Sequence, residues 1–243
     1  MKVTAIPMNI VWANPEKNIE QAQQLIQQAG ISDLYVLPEM WATGFAIEPE
    51  GVAEDEQSSK ALAWMRDFAL INGSAICGSL AIRTSDGFFR NRHYFVTPNN
   101  VVFYDKHHLF KHGREHMFYT PGDSPVIACW QGMRFLLQTC YDLRFPVFSR
   151  YGRAGEYDAI IYVANWPSSR QLAWNTLLRA RAIENQCYVI GVNRTGFDPN
   201  THYEGGSAIV SPIGKASDSL TAELSLDALG KMRDKFRVLD DRD

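Results

Sequence analysis

Three apolar runs of strand length each end on a side chain capable of chemistry, and no other feature of the chain constrains its fold as much. DLYVL (33–37) runs into Pro38-Glu39, VVFYD (101–105) into Lys106, and MRFLLQT (133–139) into Cys140. A run that is apolar along most of its length, without strict alternation, suits a strand covered on both faces. The carboxyl ends of such strands are where α/β sheets present functional groups.

The elements between these runs fit the same class. Asn14-Pro15 offers an N-cap and a first-turn proline for a helix with Ile19, Ala22, Ile26 and Ala29 at helical spacing, and Gly30 ends it. A second helix is expected at about 58–71 behind a Ser58 or Ser59 cap, closed by Asn72-Gly73. Residues 2–11, AICGSLAI (75–82), FFRNRHYFV (88–96) and VIACW (126–130) read as strands, with Gln131-Gly132 turning VIACW into MRFLLQT. Further strands are expected at 159–164, 187–193, 207–211 and 220–225, with helices at about 169–185 and 227–235. Mixed strands flanked by helices imply layered α/β packing with hairpins. No repeat or linker interrupts the chain, so one domain over residues 1–243 is expected.

Composition narrows the partners. Lys and Arg number 24 against 27 Asp and Glu, a formal charge of −3, which argues against a nucleic-acid partner. No apolar run approaches the roughly 18 to 20 residues of a bilayer span, and the N-terminus reads as a strand without a cleavage site. Neither a membrane nor a secretory signal is expected. The four cysteines form no C-x-x-C and no dense framework, as suits a reducing compartment, and a cytoplasmic location is expected.

Cys77, Cys129 and Cys187 lie within apolar strands (AIC, IAC, QCYVI) and read as packing residues. Cys140 differs, standing between Thr139 and the polar turn Tyr141-Asp142-Leu143-Arg144. A strand-to-helix elbow exposes a nucleophile and aims backbone N–H groups at its surroundings. Taken singly, Glu39 reads equally as a capping carboxylate and Lys106 as a surface lysine. Together they supply what a thiol needs, a base for its proton and a cation for the developing oxyanion. Spacing alone does not bring the three together.

His107, His108, His112 and His116 raise a metal reading, since His112 and His116 would share a face of a helix. The absence of H-E-x-x-H and the nearby glycine and proline argue against it, and no metal is expected. G-x-S-x-G, P-loop and G-x-G-x-x-G motifs are also absent. Among the large aromatics, Trp166 beside the strand end at Asn165 is the pocket candidate. Arg170, at the expected start of a helix, is placed to receive an anionic substrate tail or simply to face solvent.

The motifs VLPEMWATGF (36–45), YDKHHLF (104–110) and TCYDLRFP (139–146) resemble, in order, the Glu, Lys and Cys motifs of the nitrilase (carbon–nitrogen hydrolase) superfamily. The resemblance continues through NWP (165–167), RARAIENQCYVIGVNRTG (179–196) and GGSAIVSPIG (205–214) and is greatest to the ω-amidase branch, which hydrolyses the terminal amide of 2-oxo acids. It implies an αββα sandwich, commonly a homodimer, with Glu39 as general base, Lys106 as charge stabiliser and Cys140 as nucleophile. Glu115 in HGREHMFYTPG matches a second glutamate of the superfamily; the plain alternative pairs it with Arg114 or a histidine. The backbone N–H of Tyr141 is the expected second oxyanion donor, the partner a small-molecule amide, and no cofactor is needed. The rivals are an N-carbamoyl amino-acid hydrolase or nitrile hydrolase using the same residues, a non-catalytic ligand-binding protein, and a histidine-loop metallohydrolase.

Overall fold

The computed structural model describes residues 1–242. Strand β1 (Lys2–Ala5) precedes helix α1 (Pro15–Ala29), and β2 (Leu34–Val36) and the short β3 (Glu54–Asp55) precede α2 (Lys60–Asn72). Strands β4 (Ala75–Arg83), β5 (Phe89–Val96), β6 (Val101–Asp105), β7 (Val126–Trp130) and β8 (Met133–Thr139) follow, then the one-turn helix α3 (Pro146–Ser149), β9 (Ala159–Ala164), α4 (Gln171–Glu184) and β10 (Tyr188–Asn193). The chain continues through a small hairpin, β11 (Thr195–Phe197) with β12 (His202–Glu204), to β13 (Ala208–Val210), β14 (Thr221–Glu223) and α5 (Leu226–Lys235).

Two mixed sheets stack face to face. One runs β14-β1-β2-β4-β5-β6 with β3 beside β4, and the other runs β13-β10-β9-β8-β7. Val3, Val36 and Phe95 of the first meet Phe135, Ile161 and Val192 of the second in the middle layer, where the Phe95 and Phe135 rings lie 5.5 Å apart. The outer face of the first sheet packs Tyr35 and Ile76 under Ala22, Ile26 and Met65 of α1 and α2. That of the second packs Leu136, Ile160 and Tyr162 under Leu178 and Ala182 of α4. Alternate residues of β8 and β9 therefore serve opposite layers, and both faces are covered, which is why these strands read as unbroken apolar runs. The result is the αββα sandwich.

Local chemistry accounts for the element ends. The Asn14 side chain caps α1 by accepting from Lys17 N, and Ser59 Oγ caps α2 by accepting from Leu62 N. In the β7–β8 hairpin, Gln131 and Gly132 take φ of 47° and 81°, the positive pair that a two-residue turn requires.

The first strand is shorter than its pattern suggests. It ends at Ala5, because Pro7 has no N–H to continue a ladder and Met8 turns its carbonyl to Thr195 N at 2.8 Å. The expected helix at 169–185 opens with a 3₁₀ turn, Ser168–Arg170, before α4 proper. Cys129 is a clearer correction. On the edge strand β7, Ala128 faces the middle layer, so its neighbour Cys129 turns outward and is exposed, whereas Cys77 and Cys187 are buried. Among the described residues no helix is long and apolar enough to cross a membrane.

Cys187→Ala is expected to lower stability by about 1 kcal/mol through the space it leaves under α4, while Cys129→Ala stays within about 0.5 kcal/mol of the parent. Thermal melts of the two variants check the contrast.

Candidate active site

Both sheets deliver their functional groups at one end of the sandwich. Strands β1, β2 and β4 are parallel, and β5 is antiparallel to both β4 and β6, so β2 and β6 finish at the same edge. Strands β8, β9 and β10 are parallel in the opposing sheet. Glu39 and Lys106 thus follow strand ends in one sheet, and Cys140 and Asn165 follow strand ends in the other.

The segment carrying Glu39 is clamped against β4. Leu37 N donates to Cys77 O at 2.7 Å and Trp41 N to Ser79 O at 3.1 Å. Gly78 makes this approach possible: a Cβ there would stand 2.9 Å from both Leu37 Cβ and Trp41 Cδ1. Glu39 is fully buried and uses both carboxylate oxygens. Oε1 accepts from Lys106 Nζ at 2.9 Å and Asn91 Nδ2 at 2.8 Å, and Oε2 accepts from Asn165 N at 2.8 Å. The last bond joins the two sheets.

Lys106 Nζ also donates to Glu115, at 2.9 Å to Oε2 and 3.1 Å to Oε1. Phe110 N donates to Glu115 Oε2 at 2.6 Å. Glu115 therefore does not pair with Arg114 or a histidine. Arg114 adopts φ of 65° between two 3₁₀ turns, which leaves Glu115 buried and Arg114 exposed on the cavity wall. Burial works against the Lys106 charge, but Glu115 and Glu39 outweigh it and hold the ammonium protonated. Burial likewise pushes Glu115 above the ordinary carboxylate range, with Lys106 opposing and Glu39 reinforcing the rise.

Cys140 stands at the elbow with φ of 48°, a left-handed conformation uncommon for a side chain larger than hydrogen. Asp142 fixes this turn. Its Oδ2 accepts from Thr139 N at 2.9 Å and Tyr104 Oη at 2.7 Å, and its Oδ1 accepts from His108 N at 2.9 Å and His108 Nδ1 at 2.8 Å. One buried carboxylate thereby ties the cysteine elbow to the segment that carries Lys106. Burial pushes the Cys140 thiol well above the usual cysteine range, the Glu39 charge adds to this, and Lys106 opposes it. Cys140 is thus held as a neutral thiol, with Glu39 and Lys106 beside it. Tyr141 follows in the first turn of the elbow, where N–H groups lack intrahelical acceptors.

Cys140 and Lys106 open on a cavity of about 520 Å³. Tyr141, Trp166 and Arg170 line it, as do Arg114 and Arg144. Arg144 lies over the Trp166 ring at 4.9 Å, and Arg170 over the Phe110 ring at 5.4 Å. None of the three arginines forms an ion pair among the described residues. The hairpin β11–β12 supplies another wall through Asp198, Thr201 and Tyr203. Its anchor is Arg194, a buried arginine whose Nη2 donates to Ile10 O at 3.0 Å and Phe197 O at 2.9 Å.

The histidines do not assemble. Among the described residues no three His, Cys, Asp or Glu side chains are grouped to hold a metal. His107 and His108 instead stack on Phe148 and Phe145, at 4.3 and 3.8 Å between ring centroids. The sequence reading missed Asn91, Asp142 and Arg144 as members of the site. Asp142 has a signal in its capping position three residues after Thr139. Asn91 has almost none, since a polar residue within a strand reads as facing water.

Comparison with known proteins identifies the family. A carbon-nitrogen hydrolase family model matches residues 2–228. The chain is 40% identical to the omega-amidase YafV of Yersinia enterocolitica, covering 100% of this chain and 97% of that protein. It is 29% identical to the 2-oxoglutaramate amidase of Bacillus subtilis, over 98% of this chain and 96% of that one. Among solved structures, the CN-hydrolase superfamily protein XC1258 of Xanthomonas campestris, which carries an arsenic adduct in its active site, superposes with a TM-score of 0.94 at 39% identity, covering 100% of this chain and 97% of that one. The chain belongs to the carbon–nitrogen hydrolase family.

The charges around Cys140 fix the sign of two thiol titrations. The Glu39 carboxylate disfavours the thiolate, so Glu39→Gln is expected to move the midpoint for Cys140 alkylation to lower pH. Lys106→Met removes the cation that favours the thiolate, so its midpoint moves to higher pH. Iodoacetamide modification rates measured across pH in both variants test the pair, and midpoints shifted in the same direction would contradict it.

Proposed function

We propose that this carbon–nitrogen hydrolase removes the terminal amide of a short 2-oxo dicarboxylic acid monoamide, releasing ammonia through a thioester on Cys140. One observation carries the reading: the buried Glu39–Lys106–Glu115 cluster meets Cys140 at the floor of a cavity whose walls hold the unpaired Arg144 and Arg170. The relatives named omega-amidase and 2-oxoglutaramate amidase support the substrate class.

The chemistry follows from the charges. A thiol held neutral by burial attacks only as its proton leaves, and Glu39 is the adjacent carboxylate. As sulfur bonds to the amide carbon, negative charge builds on the amide oxygen beside Lys106 and the Tyr141 N–H. Collapse of this intermediate expels the nitrogen, which takes the proton from Glu39 and departs as ammonia. Glu39, again a carboxylate, then takes a proton from water as its oxygen attacks the thioester, and releases that proton to the sulfur when the acid product leaves. Glu115 takes no proton in this sequence. It holds Lys106 in place, so that the ammonium serves the oxyanion without leaving Glu39. The substrate carboxylate is received by Arg144 and Arg170, whose guanidinium groups lie over the Trp166 and Phe110 rings.

Cys140→Ala is expected to abolish ammonia release while retaining the parent melting temperature, because the side chain lies at the cavity edge. Arg144→Ala and Arg170→Ala should each lower kcat/KM for the anionic amide by about 1.5 to 3 kcal/mol and change little for an uncharged amide of equal length. Steady-state ammonia assays on both substrates decide the question. Equal losses on the two would make the arginines structural, and a wild-type preference for nitriles or carbamoyl amino acids would replace the substrate class.

A further inference from the structure

Asn91 lies in the interior of β5, fully buried, at a position with no evident need for a polar side chain. Its amide orientation is set from one side by Ser79, whose hydroxyl donates to Asn91 Oδ1 at 2.8 Å. Ser79 Oγ in turn accepts from Met40 N at 2.9 Å, the residue that follows Glu39 and adopts φ of 43°. A hydroxyl has one proton, and here it is spent on Asn91. The Nδ2 group therefore faces the carboxylates, 2.8 Å from Glu39 Oε1 and 3.1 Å from Glu115 Oε1, with one N–H for each. The Asn91 carbonyl accepts from Lys106 N at 3.0 Å. Apart from Lys106, Asn91 is the only residue that bonds both glutamates among the described residues.

The arrangement addresses a specific electrostatic difficulty. Two buried carboxylates share one ammonium, and adjacent carboxylates resist ionising together. A neutral donor bonded to both favours their charged forms without adding a proton that titrates. The other groups that face the pair are Cys140, a neutral thiol, and Tyr119, whose hydroxyl is committed to Ala46 O at 2.6 Å. His93, two residues along the same strand, is also neutral, since burial drives it down to about 3. None of these supplies a compensating positive charge.

We propose that Asn91 is a positioning residue that keeps Glu39 and Glu115 ionised together around Lys106, and thereby sets the lowest pH at which Glu39 can take the Cys140 proton. This rests on the assignment of Glu39 as the base. It adds that the acid limit of activity is controlled by a residue that touches neither substrate nor nucleophile.

The test is Asn91→Leu, which removes both N–H donors and introduces no new titrating group. The acid limb of the kcat/KM profile is expected to move up by about one pH unit, roughly a tenfold loss on the acid side with a smaller loss at high pH. In parallel, the infrared absorption of protonated carboxyl groups in the substrate-free protein should persist to higher pH in the variant than in the parent. Should Asn91→Leu fail to fold, Ser79→Ala releases the amide from its fixed orientation and is expected to move both readouts in the same direction by less. A rate loss that is uniform across pH, with the infrared titration unmoved, would reduce Asn91 to a structural role and overturn the proposal. An infrared titration that moves while the rate profile stays fixed would support the hold of Asn91 on the carboxylates and overturn the assignment of Glu39 as the base.

Discussion

A lysine ammonium buried between two glutamates is the interaction on which the remainder of the site depends. Removing three charges from water costs several kcal/mol per ion, and their mutual attraction offsets this only when every remaining donor and acceptor is also used. The structure meets that condition. Lys106 Nζ reaches three carboxylate oxygens, and Glu39 and Glu115 take further bonds from Asn91, Asn165 and Phe110. Because those donors come from both sheets and from the loop after β6, the cluster can form only when the sandwich is assembled. Stability and chemistry are coupled at this point.

Cys140 is held by a different device. Cys140 needs a left-handed backbone to leave the sheet, and Asp142 supports that strain with four hydrogen bonds, two of them to His108. The same carboxylate therefore sets the spacing between the thiol and the lysine segment. Cys140 is held there as a neutral thiol, with Lys106 opposing the rise that burial and Glu39 impose on it.

Outside the buried cluster the cavity has a different character. Its walls come from loops and from the β11–β12 hairpin, and its cations, Arg114, Arg144 and Arg170, face the open space. The hairpin hangs on Arg194, a buried guanidinium bonded to backbone carbonyls, with Tyr203 stacked against it at 4.6 Å. The buried cluster and the cavity's arginines thus sit on separate parts of the fold, the first on strand ends and the second on connections that tolerate change more readily.

The strands and helices were legible along the chain because their causes are local. Asn14, Ser59 and Gln131-Gly132 act within a few residues of the ends they define, and doubly covered strands announce themselves as apolar runs. Glu39, Lys106 and Cys140 stood out for the same reason, since each interrupts such a run at its end, and the ordered motifs carried the family resemblance. Other assignments depended on what lies across the fold. Cys129 and Cys187 look alike in sequence, yet one sits on an edge strand and the other under a helix. Asn91 gave no local sign because its partners are 52 and 24 residues away, and a strand's pattern does not say which of its polar residues face water. The sequence by itself determined which residue types were available and which backbone shapes they favour. Only the tertiary structure decided which charges would be buried together, because that depends on how two sheets meet, and the meeting is set by the packing of the whole middle layer.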